Sequence, residues 1–505
     1  MARNNTPSFV LNCKILADDG EKKFLSKKMD MVNRIYNVGV KYYRKQVEAL
    51  REDVWFQYSL EQWKKTEPDT SERKFWSTEI SACITNYRLN EYDIHSFFGQ
   101  LKVRGYEKGI GINIVQKVGS ALHKSIEKAI FSGTEIHYRK YGTTRSFEDK
   151  KSDSGIILRR EKWTVTIMGH TMRLRPIRKK DYYMQEALKH RVKFCRVVRN
   201  PSKTGYDYYL QIVLEGTPPK KVKRGSGTCG VDEGVSTVAY DNDDEADFVV
   251  LADGIEKYDR EIRDAAVVYE RRLRMANPEC FNDDGTRKKG AKFTKRTKNA
   301  IKALFHLKNA YRRRSASIRE KHGHLANRIV SHCYEIVKEP MNFRALQKRS
   351  RSKTERQDKV SEVKQKDGTV KKIRKFKRKK RFGKSINHRA PGLFNLLLEQ
   401  KAKQYEVEVT EIDIQKYKAS QYDHVTDSYK KKGLSERGSR IGGKRVQRDL
   451  YSSFLLRNYK DAEHPDRDKC ISDFKPFLKR QGNVVNRMLK TGDTTRNFGL
   501  ALFVA

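Results

Sequence analysis

The chain is short of acid. Its 505 residues hold 63 Asp and Glu against 109 Lys and Arg, a formal net charge of +46. Solubility does not require such an excess. Each phosphate that a cation neutralises releases counterions and adds affinity, so the imbalance points to a polyanion partner. Long apolar runs are missing as well: no stretch reaches membrane-spanning length, and Met1-Ala2-Arg3-Asn4 opens no signal-peptide pattern. Nucleic acid is therefore expected rather than an acidic membrane surface, with no membrane partner. The seven cysteines (Cys13, Cys83, Cys195, Cys229, Cys280, Cys333, Cys470) are scattered with no CxxC pair. That argues for reduced intracellular thiols and against a disulfide framework or a four-cysteine zinc site.

What is present divides into two or three domains, as a chain of this length should. Phe9 to Ile15 reads as a first strand, followed by helix through Lys27 to Lys65 and further helices around Glu79 to Tyr87, Glu91 to Leu101 and Ile114 to Ile130. In the last of these Val115, Val118, Leu122 and Ile126 recur at helical spacing and should be core. From Tyr138 the pattern turns to period two. Trp163 to Arg175 reads as one hairpin, and Val192 to Arg199 with Tyr208 to Leu214 as a second. With the first strand these would close a small barrel holding the helical block as an insertion. Glu215 to Thr228, rich in proline, glycine and lysine, reads as a linker.

Beyond it, Gly230-Val231-Asp232-Glu233-Gly234-Val235 is a short apolar strand carrying a carboxylate. A carboxylate among valines needs a cation or strong hydrogen bonds, so Asp232 reads as a metal ligand, or equally as a turn aspartate beside glycine. The flanking glycines let backbone or phosphate come close. Ile336-Val337-Lys338-Glu339-Pro340 is a second strand ending on a carboxylate, stopped by proline, and Asp449 heads a helix running through Leu450, Phe454 and Leu455. The spacings, 107 residues (339 − 232) and 110 (449 − 339), suit three elements meeting in a sheet-and-helix domain. Three converging carboxylates can hold two divalent ions, the arrangement that hydrolyses phosphodiesters in line.

The order Gly-Val-Asp-Glu-Gly-Val, Ile-Val-Lys-Glu, Gln-Arg-Asp-Leu-Tyr-Ser-Ser resembles the three split RuvC motifs of TnpB proteins and miniature type V CRISPR effectors. Gly383-Lys384-Ser385-Ile386 and the helix Phe394 to Gln404 match the stretch between the second and third motifs. The resemblance spans residues 226 to 460 and is architectural before that. It implies a mixed fold of α/β, α and β parts: an RNase H-like (RuvC) nuclease domain over 225–505, behind an N-terminal wedge β-barrel (1–25 and 136–224) holding a helical recognition domain (26–135).

The resemblance also implies an RNA-guided DNA endonuclease that cleaves in a single RuvC site, with guide RNA and target DNA as partners. Asp232, Glu339 and Asp449 would be both the catalytic residues and the ligands of two magnesium ions, with no covalent intermediate. The location implied is prokaryotic cytoplasm, associated with the nucleoid when DNA is bound. Oligomeric state is open between monomer and homodimer.

For nucleic-acid contact the residues singled out are Arg312, Arg313 and Arg314 on the helix Thr294 to Glu320, Lys377 and Arg378 in the basic stretch, and Arg437 and Arg440. The stretch 344–384 carries 19 Lys or Arg against 4 Asp or Glu and is expected to be a mobile loop.

Two departures matter. The family's zinc ribbon would fall in 416–444, where no cysteine stands and His424 is alone, so no zinc is expected. The third motif has Tyr451, Ser452 and Ser453 where Asn-Ala-Ala is usual, and Pro465-Asp466-Arg467-Asp468 copies the family's Asp-Arg-Asp string more literally than Gln447-Arg448-Asp449 does. Asp449 is preferred because its helix has an apolar face to anchor it. The alternative functions are an RNA-guided DNA-binding repressor that does not cut and a guide-free, transposon-associated nuclease.

Overall fold

The computed structural model describes residues 6–103, 109–347, 354–364, 370–377, 383–433, 436–491, 498–499 and 503. Backbone alone is described for 102–103, 354–364, 371–377 and 383–384. Met1–Pro219 with Ala266–Asn309 forms one compact unit, and Lys220–Ala265 with Ala310–Ala505 a second.

The first unit opens with strand β1 (Ser8–Lys14), whose alternate residues Phe9, Leu11 and Cys13 are buried. Helix α1 (Asp19–Glu52) starts in a capping box: Asp18 accepts from the Glu21 N–H, and Glu21 accepts from the Asp18 N–H. The single helix expected through Lys65 is two. Asp53 ends α1 and caps α2 (Val54–Lys65) by accepting from the Phe56 N–H at 2.8 Å. An aspartate in extended backbone satisfies the new helix's free donors, so the chain breaks there despite continuous helical patterning. Helices α3 (Ser71–Asn86), α4 (Glu91–Val103) and α5 (Ile112–Ser132) follow, and Val115, Val118, Leu122 and Ile126 are buried as their spacing predicts.

Strands β2 (Ser146–Glu148), β3 (Ile156–Arg159), β4 (Thr164–Ile167) and β5 (His170–Arg173), helix α6 (Tyr182–Ala187), and strands β6 (Val192–Pro201) and β7 (Tyr206–Glu215) complete the sequence of elements before the linker. The ladders make two sheets, β1-β7-β6-β2 and β3-β4-β5, where a closed barrel was expected. One seam is bridged at Ile15 and Leu174, and the Arg175 N–H donates to the Lys14 carbonyl at 2.8 Å. At the other seam a side chain takes the place of a ladder: Asp149, fully buried, accepts from the Ile156 N–H at 2.9 Å and the Ser154 hydroxyl at 2.7 Å, while its own N–H donates to the Cys195 carbonyl. The sheets share one apolar core with α1 and α5.

The second unit is built on a five-stranded sheet. Strands β8 (Gly227–Glu233), β9 (Thr237–Asp241) and β10 (Ala246–Val250) form an antiparallel meander, each paired with the next. After helices α7 (Glu256–Ala276) and α8 (Lys298–Val330), of which residues 266–309 belong to the first unit, strand β11 (Cys333–Lys338) pairs parallel to β8. Short helix α9 (Phe343–Gln347) leads into the basic stretch. Its described part contains two antiparallel strands, β12 (Thr354–Lys364) and β13 (Val370–Lys377), where a loop was expected. Helices α10 (Gly383–Arg389) and α11 (Pro391–Tyr405) precede strand β14 (Glu408–Glu411), which pairs parallel to β11.

Helix α12 (Ile414–Tyr417), strands β15 (Tyr422–Asp423), β16 (Ser428–Tyr429), β17 (Gly438–Ile441) and β18 (Lys444–Gln447), and helices α13 (Arg448–Arg457) and α14 (Arg467–Thr491) finish the described elements. The sheet order is β10-β9-β8-β11-β14. One face packs Val231, Tyr240 and Ile336 against α8 and α11, and the other packs Ala239, Phe248 and Val337 against α13 and α14.

Candidate functional site

Asp232 lies near the end of β8, and its position in the pleat decides what it faces. Val231 points to the α8 and α11 side, so Gly230 and Asp232 share the α13 side. The β11 register sets Lys338 beside Val231, so Glu339, the next residue, falls beside Asp232. Two carboxylates thus come from neighbouring parallel strands, on the same face of the sheet.

Gly230 explains how the third arrives. A Cβ there would stand 1.9 Å from the Ser453 carbonyl oxygen and 2.5 Å from the Arg457 nitrogen, so only glycine lets the backbone of α13 rest on β8. Asp449 is one turn before Ser453, about 6 Å back along the helix axis, and Asp232 is two residues past Gly230, about 6.6 Å along the strand. Asp449 thus lies on the helix that rests on β8, close enough for its charge to reach Asp232.

The electrostatics agree with this placement. Desolvation drives the Asp232 carboxyl well above the ordinary carboxylate range, and the charges of Asp449 and Glu339 add to it, with Arg448 opposing. Desolvation also raises Glu339. Among the described residues neither Asp232 nor Glu339 accepts a side-chain hydrogen bond or meets a cation at ion-pair distance. Asp449 is engaged: Arg448 Nε lies 3.1 Å from Oδ1, and the Gln447 amide donates to Oδ2 at 3.4 Å. Gln447 also caps α13 by accepting from the Leu450 N–H at 2.6 Å, and its own N–H donates to Gln481 of α14.

As the side chains stand, no group of three or more His, Cys, Asp or Glu among the described residues is drawn together closely enough to hold a metal ion. The donor set itself suits a hard divalent cation: three carboxylates, two of which meet no side-chain partner among the described residues. On the opposite face, Lys338 is buried and pairs with Glu399 at 2.8 Å and Asn395 at 2.6 Å. Buried Glu233 there has neither oxygen hydrogen-bonded and is pushed up to about 7 by burial, with Lys338 opposing.

The remaining singled-out residues are dispersed. Arg313 pairs with Glu261 at 2.9 Å, and Arg314 with Asp259 at 3.2 Å, which ties α8 to α7. Arg312 is half-buried on the same helix. Arg440 is exposed on β17 opposite Arg445, and half-buried Arg437 accepts from the Arg448 N–H through its carbonyl. Lys377 is described by its backbone in β13, and Arg378 lies outside the described residues. The rival string is occupied otherwise: Asp466 accepts from the Lys469 N–H at the head of α14, and Arg467 donates to the His424 carbonyl. His424 is buried, with Nδ1 2.7 Å from the Tyr451 hydroxyl. Sequence reading passed over Arg448, Gln447 and Lys338, though all three flank the chosen acids.

No protein-family profile matches the chain, and no curated protein sequence matches it. Several solved structures are similar in fold. One is a Cas12f1–sgRNA–target DNA complex, with TM-score 0.40 and 10% identity over 90% of this chain and 99% of that one. Another is a CRISPR-Cas12f ternary complex, with TM-score 0.28 and 12% identity over 90% and 100%. A third is a Cas12i–crRNA–dsDNA complex, with TM-score 0.26 and 9% identity over 91% and 64%.

Proposed function

We propose that this chain is an RNA-guided DNA endonuclease with a single RuvC-like site. The observation that supports the proposal is the pairing of β11 beside β8, which sets Glu339 next to Asp232, with α13, the helix that carries Asp449, resting on Gly230 of the same strand. The net charge of +46 supplies the affinity for guide RNA and target DNA, the kinds of partner present in the Cas12f1 complex. Asp232, Glu339 and Asp449 would hold magnesium, which when bound activates water and offsets charge at the scissile phosphate.

The chain's own part is positional. Gly230 seats α13 on β8, Gln447 caps that helix and orients Asp449, and Val231 with Ile336 and Val337 fixes the two strand carboxylates in rigid backbone. Arg448 supplies a cation where phosphate charge must be accommodated. The test is cleavage of a guide-matched DNA with magnesium: wild type should cut, and Asp232→Ala should bind the same DNA without cutting. Retained cleavage in Asp232→Ala would overturn the reading. The pairing of Asp449 with Arg448 favours one second reading, guided binding without cleavage, which predicts that wild type also binds and does not cut.

A further inference from the structure

Several guanidinium groups in this protein have carboxylate partners: Arg196 meets Glu148, Arg328 meets Asp247, and Arg480 meets Asp241. One cluster of cations in the first unit differs from these. Arg145 before β2, Arg199 on β6, Arg296 before α8 and Lys308 on α8 have no carboxylate at ion-pair distance among the described residues. Each of the three arginines is close enough to oppose Lys308: burial lowers the Lys308 pKa, and Arg145, Arg296 and Arg199 lower it further.

Arg199 is the base of the cluster. It is 2% exposed, donates to the Gly142 carbonyl at 2.8 Å and to Ser26 Oγ at 3.4 Å, and its Nε has no partner. Its backbone N–H donates to the Arg145 carbonyl at 2.9 Å, which fixes Arg145 beside it. The guanidinium lies 4.4 Å from the centre of the Tyr206 ring, Tyr206 meets Phe305 edge to face at 4.8 Å, and Lys308 Nζ stands 5.8 Å from the Phe305 ring centre. Two aromatic rings thus hold apart cations that repel, and Arg145, Arg296 and Lys308 remain exposed. Four positive charges gathered here with no carboxylate partner among the described residues make the place favourable for an anion.

We propose that Arg145, Arg199, Arg296 and Lys308, braced by Tyr206 and Phe305, form a binding site for the phosphodiester backbone of a nucleic-acid strand. This site is separate from the three carboxylates and does not depend on cleavage.

The test uses the full chain without divalent ions. Binding of a labelled single-stranded RNA, and of DNA of the same sequence, is followed by fluorescence anisotropy over a range of salt. In Arg296→Gln/Lys308→Gln, the slope of log affinity against log salt should be shallower by about 1.4 to 1.8, at 0.7 to 0.9 for each lost phosphate contact. Arg145→Gln alone should remove about half of that. Lys64→Gln/Lys65→Gln, on exposed α2, removes equal charge elsewhere and should leave the slope near the wild-type value. A reduced slope for RNA, DNA or both supports the site and says which strand it holds. A wild-type slope in the Arg296/Lys308 and Arg145 variants, or an equal fall in the α2 control, overturns it. The assay contains no divalent ion and reads binding alone, so failure here is distinct from failure of the nuclease reading.

Discussion

Replacing Gly230 by alanine tests the geometry of the candidate site with one methyl group. The new Cβ would meet two backbone atoms of α13, at 1.9 Å and 2.5 Å, and the Leu456 Cβ at 3.0 Å. Real Cβ atoms essentially never come closer than 3.0 Å, so α13 must retreat from β8 by about 1 Å. Forced overpacking of this kind costs about 3 kcal/mol, which for a unit of this size lowers the melting temperature by roughly 6 to 12 °C. Asp449 moves with the helix while Asp232 and Glu339 stay on the sheet. A displacement of about 1 Å in a catalytic constellation costs on the order of 100-fold in rate. The assays are a thermal melt of the magnesium-free protein and single-turnover cleavage with guide and magnesium. Gly482→Ala is the control: it sits in α14 with nothing within 4 Å of its would-be Cβ and should gain up to about 1 kcal/mol in stability with no change in rate. If Gly230→Ala melts and cleaves like wild type, α13 is not what brings Asp449 to the strands.

Asp232→Asn should abolish magnesium-dependent cleavage yet raise the metal-free melting temperature by a few degrees, because the amide removes a desolvated charge opposed by Asp449 and Glu339; a lower metal-free melting temperature would contradict the electrostatic account. Arg448→Gln should do the reverse without metal, lowering stability by about 1 to 2 kcal/mol and enlarging the stabilisation gained on adding magnesium; calorimetric melts with and without the ion check this. Burial holds His424 below its ordinary pKa, so its contribution to stability is complete above about 6.5 and declines as pH falls below that. His424→Gln should flatten the decline in melting temperature between roughly pH 7 and 5, and an unchanged profile would show that His424 is not its source. Chelator treatment should leave the melting temperature unchanged, since the described part of 416–444 is anchored by buried Tyr417, Tyr422 and Ile441; a fall of several degrees would reveal a structural metal.

The elements that carry the candidate acids were legible because each leaves a local pattern in the sequence. Asp232 lies near the end of an apolar strand, Glu339 is the last residue before a proline, and Asp449 heads a helix whose residues Leu450 to Leu456 are all buried. Their meeting depends on contacts between distant residues. That Gly230 touches α13 rather than phosphate, and that Arg448 folds back on Asp449, follows from packing that no local period encodes. The break at Asp53 escaped notice because a capping aspartate inside helical patterning looks like any other polar position. Arg313 and Arg314 were chosen as free cations, but their fate rests on Glu261 and Asp259 about 50 residues earlier. The basic stretch was read as a loop because it is strongly charged and sits between the second and third motifs, and repulsion among its lysines does not prevent β12 and β13 from sharing backbone hydrogen bonds.

The pairing of β1 with β7 also has a consequence for biosynthesis. Ser8 lies opposite Glu215, so the first strand leaves the ribosome long before its partner exists. At roughly 5 to 20 residues per second, the interval is about 10 to 40 s, during which α1 through α5 can coil locally while one edge of the nascent sheet stays open. Slowing translation before β7 should therefore lower soluble yield, and supplying a holdase chaperone should restore it.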